Sequence, residues 1–215
     1  MGFQLTSADY ADYIRKAYAL IHEKGDYITG LDSATGDGDH WTNINMGFES
    51  LVNHAAELEN MSVYEQFRQI GTIMMSVIGG SSGVLYGSAY LAAAKTLKDR
   101  ESIGNQELCD VLDAMLQAIM SRGNAARGCK TMIDALAPAA DCYRQCIAEG
   151  LSEIETAQKV KQAAADGAES TKGMEAVKGR ASYQADKGVG HLDPGAVTMS
   201  YQIAVLMDCV ISKCQ

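Results

Sequence analysis

Two prolines, Pro138 and Pro194, are all that this chain of 215 residues contains, where average usage of about 5% would place roughly ten. Proline ends or kinks helices and marks turns, so its scarcity argues against folds built on many tight connections. Immunoglobulin-like sandwiches and loop-rich disulfide scaffolds are therefore poor fits. Glycine runs the other way, with 21 residues against about fifteen expected. Together the two predict long helices whose irregular backbone is gathered into a few glycine-rich segments.

The periodicity agrees. Thr6-Ser7-Ala8-Asp9 has the form of a capping box, and Tyr10, Ile14, Ala17 and Ile21 follow at helical spacing until Gly25. Ser62 to Glu65 opens a helix by the same rule, with Phe67, Ile70, Met74 and Val77 on one face, and Ser152 to Glu155 opens another. Further helical patterns run over about 42–58, 82–97, 106–122 and 130–149, the last expected to kink at Pro138. Asp193-Pro194 is a strong start for the final helix, an N-cap followed by proline at N1. The expectation is an all-α fold of about eight helices, seven to nine, forming a single domain over residues 1–215.

Charge restricts the partners. With 27 acidic and 18 basic residues, the formal net charge is −9, which repels nucleic acid and anionic lipid. A phosphate-bearing ligand would need a cation or an oriented helix N-terminus. No run approaches the roughly 20 continuous apolar residues of a membrane span, and the start lacks a secretory apolar region. Met1-Gly2 fits a loose myristoylation pattern, but a cytosolic start is the simpler reading. Six cysteines without a Cys-x-x-Cys pair, including Cys142 and Cys146 one turn apart, read as reduced cytosolic thiols on helix faces. His22 and His54 read as surface or core-edge residues, and Met74, Met75, Met115 and Met120 as core.

Three segments break the helical pattern. The first, Leu31 to Asn43, holds Asp32, Asp37 and Asp39 with glycines at 36 and 38. Carboxylates at that density repel unless a hard divalent cation neutralises them. An EF-hand is excluded, because counting from Asp37 puts Thr42 at the glycine position and Phe48 at the glutamate position. The bland rival is a solvated turn with Asp39 capping a helix. The second segment, Gly79 to Gly83, can form an anion nest at a helix start. It lacks the ending of a Walker A loop. It matches Gly-x-Ser-x-Gly around Ser81, but a hydrolase needs a preceding strand, and His191 comes before Asp193 rather than after an acid. The third, Lys178 to Ala196, is a long loop that offers Arg180 as a planar cation for phosphate and the donors after Asp193.

In combination these segments resemble the nucleotide-binding L subunits of dihydroxyacetone kinases. The specific parts are Asp32 with Asp37-Gly38-Asp39-His40, and Gly179-Arg180-Ala181-Ser182-Tyr183 followed by Gly190-His191-Leu192-Asp193-Pro194-Gly195-Ala196. The resemblance implies an antiparallel barrel of eight helices with the nucleotide at one end. It implies Asp32, Asp37 and Asp39 as ligands of two Mg2+ ions. It implies nucleotide contacts from His40, Trp41, Thr42, Asn43, Ser81, Ser82, Gly123, Met132, Arg180 and Asp193, with Arg180 a candidate charge stabiliser. Fatty-acid kinase domains are related but start their metal motif differently, with Pro-Asp-Gly-Asp-Thr.

The implied activity is phosphoryl transfer from Mg-bound ADP/ATP chemistry to a short ketose held on a K-type partner subunit. An M-type phosphohistidine protein would recharge bound ADP; the alternatives are exchange of free ATP, or a nucleotide-loaded partner of a transcriptional regulator. Four places depart from the family pattern: Trp41 replaces a glycine, Ser81 an alanine and Cys129 an aspartate, and residues 185–188 are spaced differently. None of them removes a metal ligand.

Overall fold

A computed structural model describes residues 2–215; Met1, where the myristoylation pattern begins, lies outside them. Ten α-helices account for most of the chain, and among the described residues there is no strand beyond one isolated bridge, Leu5 with Ile103. They are α1 (Ser7–Glu23), α2 (Gly25–Thr35), α3 (His40–Asn53), α4 (Ala55–Leu58) and α5 (Val63–Val77), then α6 (Gly80–Thr96), α7 (Asn105–Gly123), α8 (Ile133–Glu149), α9 (Glu153–Ser170) and α10 (Pro194–Cys214).

The expected caps form. Thr6–Asp9, Ser62–Glu65 and Ser152–Glu155 each make a reciprocal capping box at the starts of α1, α5 and α9. Asp193 caps α10 with Pro194 in its first turn. α8 continues as one helix through Pro138, whose Cγ lies 3.0 Å from where a Cβ on Gly167 of α9 would sit.

Two expectations on helix count need correction. The stretch after Gly25 does not leave the helical pattern: Gly25–Thr35 is a helix, so Asp32 stands in its last turns rather than in a loop. A break at His54 also separates the short α4 from α3. The helix α2 escapes a hydrophobicity reading for a physical reason. Its buried positions are Gly25, Ile28, Asp32 and Thr35, spaced helically but carrying only one large apolar side chain.

Packing runs in chain order. α1 packs on α3, α3 on α5, and α5 through α10 each on the next, while α10 returns to α1. The eight helices read from periodicity thus close a ring of neighbours, with α2 resting on α3 and α10. Buried aromatics fill its interior: Tyr10, Phe67, Tyr86 and Tyr90 are at most 2% exposed, and Tyr10 and Tyr90 hydroxyls pair at 3.2 Å. Burying each such ring stabilises the fold by about 1.5–3 kcal/mol before chain entropy is counted. Met74 and Met115 are buried as expected, whereas Met75 is exposed.

α10 is long and apolar enough to cross a membrane, yet 72% of that apolar window is buried against other helices. It is the core helix of this fold, which explains its unbroken apolar run: neighbours cover it nearly all round.

Candidate nucleotide and metal site

The three irregular segments meet at one end of the helices, around a cavity of about 770 Å3. The α2–α3 connection supplies the acids. α2 delivers Asp32, buried, and a turn through Gly36 and Gly38 returns the chain to α3. Gly38 has φ 77°, a left-handed conformation that favours glycine, and a Cβ there would also meet Ser33 Oγ at 2.8 Å. The reversal brings oxygens of Asp32, Asp37 and Asp39 within 4.8 Å of one another, the one such metal-ligand group among the described residues.

Asp39 occupies the N-cap position of α3 but makes no capping hydrogen bond through its side chain. Asp32 serves that end instead, its Oδ2 accepting from the His40 amide at 2.9 Å. The bland reading of Asp39 as a helix cap therefore fails, and its carboxylate stays free. Arg180 pairs with Asp37 at 2.6 Å, offsetting one of the three negative charges. The remainder is an all-oxygen, hard donor set that suits Mg2+ or Ca2+ and not a thiophilic metal.

His40 is pinned from both sides. Its ring Nε2 lies 3.0 Å from Thr198 Oγ1, and that hydroxyl donates to Gly195 O at 3.2 Å. The Thr198 hydroxyl thus links the His40 ring to the first turn of α10. Burial lowers the His40 pKa, against the opposing pull of Asp32 and Asp39. Thr198 O accepts in turn from Gln202, whose amide also donates to Tyr86 OH at 2.8 Å, tying the site to the buried core.

The start of α6 lines the same cavity as the acids. Gly79 is its N-cap without a side-chain capping bond, so the first-turn amides of Gly80, Ser81 and Ser82 stand free on the cavity wall. α5 precedes this turn, and with a helix where a hydrolase needs a strand, Ser81 has no nucleophile-elbow geometry. Leu85, Ile119, Ala125, Met132 and Ile133, together with Gly123, supply an apolar part of the lining.

Asp193 caps α10 by accepting from Ala196 N at 2.7 Å. Burial pushes its carboxyl up to about 7, opposed by the Ala196 amide and by Lys130 and reinforced by Asp134 and Asp32.

Of the residues anticipated from sequence, Asp32, Asp37, Asp39, His40, Asn43, Ser81, Ser82, Gly123, Met132, Arg180 and Asp193 all line the cavity; Trp41 and Thr42 do not. Helix geometry separates them. His40 and Asn43 are three apart and share a face of α3, while the two between rotate away by about 100° per residue. Trp41 turns instead to the α1–α2 junction, where its indole N–H donates to Ile21 O at 3.1 Å.

Four basic residues line the cavity: Arg122, Lys130, Lys178 and Arg180. Sequence reasoning singled out Arg180 alone. Lys130 sits in the Gly128-Cys129-Lys130-Thr131-Met132 run that already carried a predicted contact, and nothing in its spacing marked it.

The fold thus gathers clustered acids, a free helix N-terminus and apolar lining residues at one end of an all-helical domain. The DAK2 domain family model matches residues 34–208, and this chain belongs to that family. It is 31% identical over 94% of its length, and 96% of the relative's, to the ADP-binding subunit DhaL of PEP-dependent dihydroxyacetone kinase from Escherichia coli. It is 33% identical over 96% of its length, and 99% of the relative's, to the ADP-binding subunit DhaL of the PTS-dependent dihydroxyacetone kinase from Lactococcus lactis. Among solved structures, the native dihydroxyacetone kinase of C. freundii superposes with a TM-score of 0.74 at 25% identity, covering 97% of this chain and 35% of that one. The relatives are kinase subunits, and the chain is a phosphotransferase of the same family.

Proposed function

We propose that this chain is the nucleotide-binding subunit of a dihydroxyacetone-type kinase. The observation that carries the reading is the convergence of three carboxylates and an uncapped helix N-terminus on one cavity that also has apolar lining. A free polyphosphate would be repelled by a −9 chain, so a site that combines acids with phosphate donors makes sense for a metal-bound nucleotide.

In this reading Asp32, Asp37 and Asp39 hold two Mg2+ ions. Those ions, when bound, would neutralise phosphate charge and favour the charge spread of phosphoryl transfer. The chain's own groups do the positioning. The amides of Ser81 and Ser82 and the partial positive end of α6 receive phosphate oxygens. Arg180 leaves Asp37 for the phosphates and places its planar donors on the charge that develops during transfer. His40 and Asn43 border the phosphate end from α3. Gly123 and Met132, with Leu85 and Ile119, form the slot for the base, and Asp193 fixes the start of α10 beside it.

The acceptor is a short ketose presented by a K-type partner subunit. The relatives covered over 96% and 99% of their length are named as ADP-binding subunits of PEP- and PTS-dependent kinases, which supports ADP kept in place. In this reading an M-type phosphohistidine protein recharges it in the cytoplasm. The 215 residues act as one domain in that cycle. The test is reconstitution: purified chain, a K-type subunit, dihydroxyacetone, and either ATP or a phosphohistidine donor. Phosphorylated triose with the phosphohistidine donor and tightly co-purifying ADP is the expected result. Turnover with ATP alone would replace the recharging cycle by exchange, and no triose phosphate with either donor would refute the kinase assignment.

A further inference from the structure

Lys130 is the buried titratable group that the reading above leaves unused. It is 2% exposed, although it belongs to a loop between α7 and α8. Its backbone is left-handed, with φ 60°, a conformation that a non-glycine residue keeps only where its surroundings compensate. The compensation lies at the other end of the side chain. Nζ donates to Thr171 O at 2.5 Å and to His191 O at 2.5 Å.

Those two carbonyls bracket a single segment. Thr171 follows the end of α9, and His191 lies two residues before Asp193, the cap of α10. Between them the chain forms no α-helix, only two short 3-10 turns, Thr171–Gly173 and Arg180–Tyr183, the second of which carries Arg180. The ends also meet directly, since Thr171 Oγ1 accepts from Asp193 N at 3.0 Å, and Gly190 N donates to Lys172 O at 2.8 Å. The loop turns back on the lysine a second time: Val177 N donates to Cys129 O at 3.2 Å, and a Cβ on Gly188 would sit 3.3 Å from Lys130 Cε.

On the lysine's own side, Asp134 accepts from Gly128 N at 2.5 Å and Thr131 N at 2.9 Å, so the short loop that presents Lys130 is itself anchored to α8. Met132, in the apolar part of the lining, is two residues on.

We infer that Lys130 is a positioning residue: its ammonium ties the two ends of the 171–191 loop together and onto the α7–α8 connection, so that Arg180, Asp193 and Met132 are held in one register around the cavity. Desolvation on burial pulls its pKa down, and the carboxylates of Asp193, Asp134 and Asp186 pull it back up; the two carbonyls supply the partners a buried cation needs. An apolar residue of similar length would fill the space and leave His191 O unpaired.

This inference rests on the nucleotide reading for its functional half and on geometry alone for its structural half, so the experiment separates them. Lys130→Met keeps the stem and removes the donors; Lys130→Gly removes the donors and relieves the left-handed backbone. Both variants are expected to bind ADP with Mg2+ at least tenfold more weakly in calorimetry, with cleavage by a broad-specificity protease appearing within residues 174–190. If Lys130→Gly binds ADP as tightly as the unmodified chain, the lysine only shapes a turn and the clamp is refuted. Resistance of the loop to protease in both variants refutes it as well. If the variants do not fold, reductive methylation of the unmodified chain decides: Lys130 is expected to stay unmodified while exposed lysines react, and its ready methylation overturns the clamp. Failure of the unmodified chain to bind ADP refutes the nucleotide reading instead, and leaves the protease and methylation results to judge the clamp.

Discussion

Replacing Asp37 by asparagine should make the metal-free protein more stable while weakening its ligand site. The three carboxylates have oxygens within 4.8 Å of one another. At that separation each like-charged pair costs about 0.9 kcal/mol even at the dielectric constant of water, and more where solvent is excluded. Asp37 takes part in two such pairs. What it contributes in return is its ion pair with Arg180, whose side chains are 38% and 70% exposed, and an exposed pair of that kind is worth about 0–1 kcal/mol. The balance favours asparagine by about 1 kcal/mol, or about 2–4 °C in melting temperature for a chain of this size. Because 4.8 Å is shorter than the Debye length at ordinary ionic strength, salt should reduce the gain without abolishing it. Nucleotide binding should move the other way, with at least a tenfold loss of affinity for ADP in the presence of Mg2+. The assays are thermal unfolding in a chelator and calorimetric titration with ADP and Mg2+. A variant that melts lower than the unmodified chain in chelator, or binds within threefold of it, would show that the acids are not a repelling cluster held for a cation.

Two further perturbations address the scaffold. A Cβ on Gly25 would lie 2.9 Å from the Trp41 ring, so Gly25→Ala should destabilise the chain by about 1–3 kcal/mol, a cost that should largely vanish when measured in a Trp41→Gly background. Additive effects in denaturant titrations would refute that contact. Asp141, held by Arg127 and opposed by burial, with Arg144 also lowering it, keeps its carboxyl below the ordinary aspartate value. Its folded pKa is depressed, so its stabilisation is complete above about pH 4 and is lost as pH falls through the folded value. The stability difference between the unmodified chain and Asp141→Asn should therefore be constant from pH 6 to 8 and shrink below about pH 4; a difference that grows in acid would reverse the sign of the argument.

Most of the fold could be read from the chain because its determinants are local. Capping boxes at Thr6, Ser62 and Ser152, the Asp193-Pro194 start and the apolar spacing of each long helix act over three or four residues, and all of them recur in the structure. The acids could be read for the same reason, since Asp37 and Asp39 straddle one glycine. Long-range packing decided the rest. Helix α2 was hidden because Gly25, Asp32 and Thr35 are buried by neighbours and not by their own hydrophobicity. Trp41, adjacent to His40 in the chain, is carried off the cavity wall by the helical twist and held at Ile21. Lys130 looks like any surface lysine in sequence; only the fold brings Thr171 O and His191 O, 41 and 61 residues downstream, onto its ammonium. Local pattern alone was enough for the eight long apolar helices and the ligand-bearing segments, whose physics is short-range. The tertiary structure alone decided which side chains face the cavity and what clamps them there, because those contacts join residues that no local pattern connects.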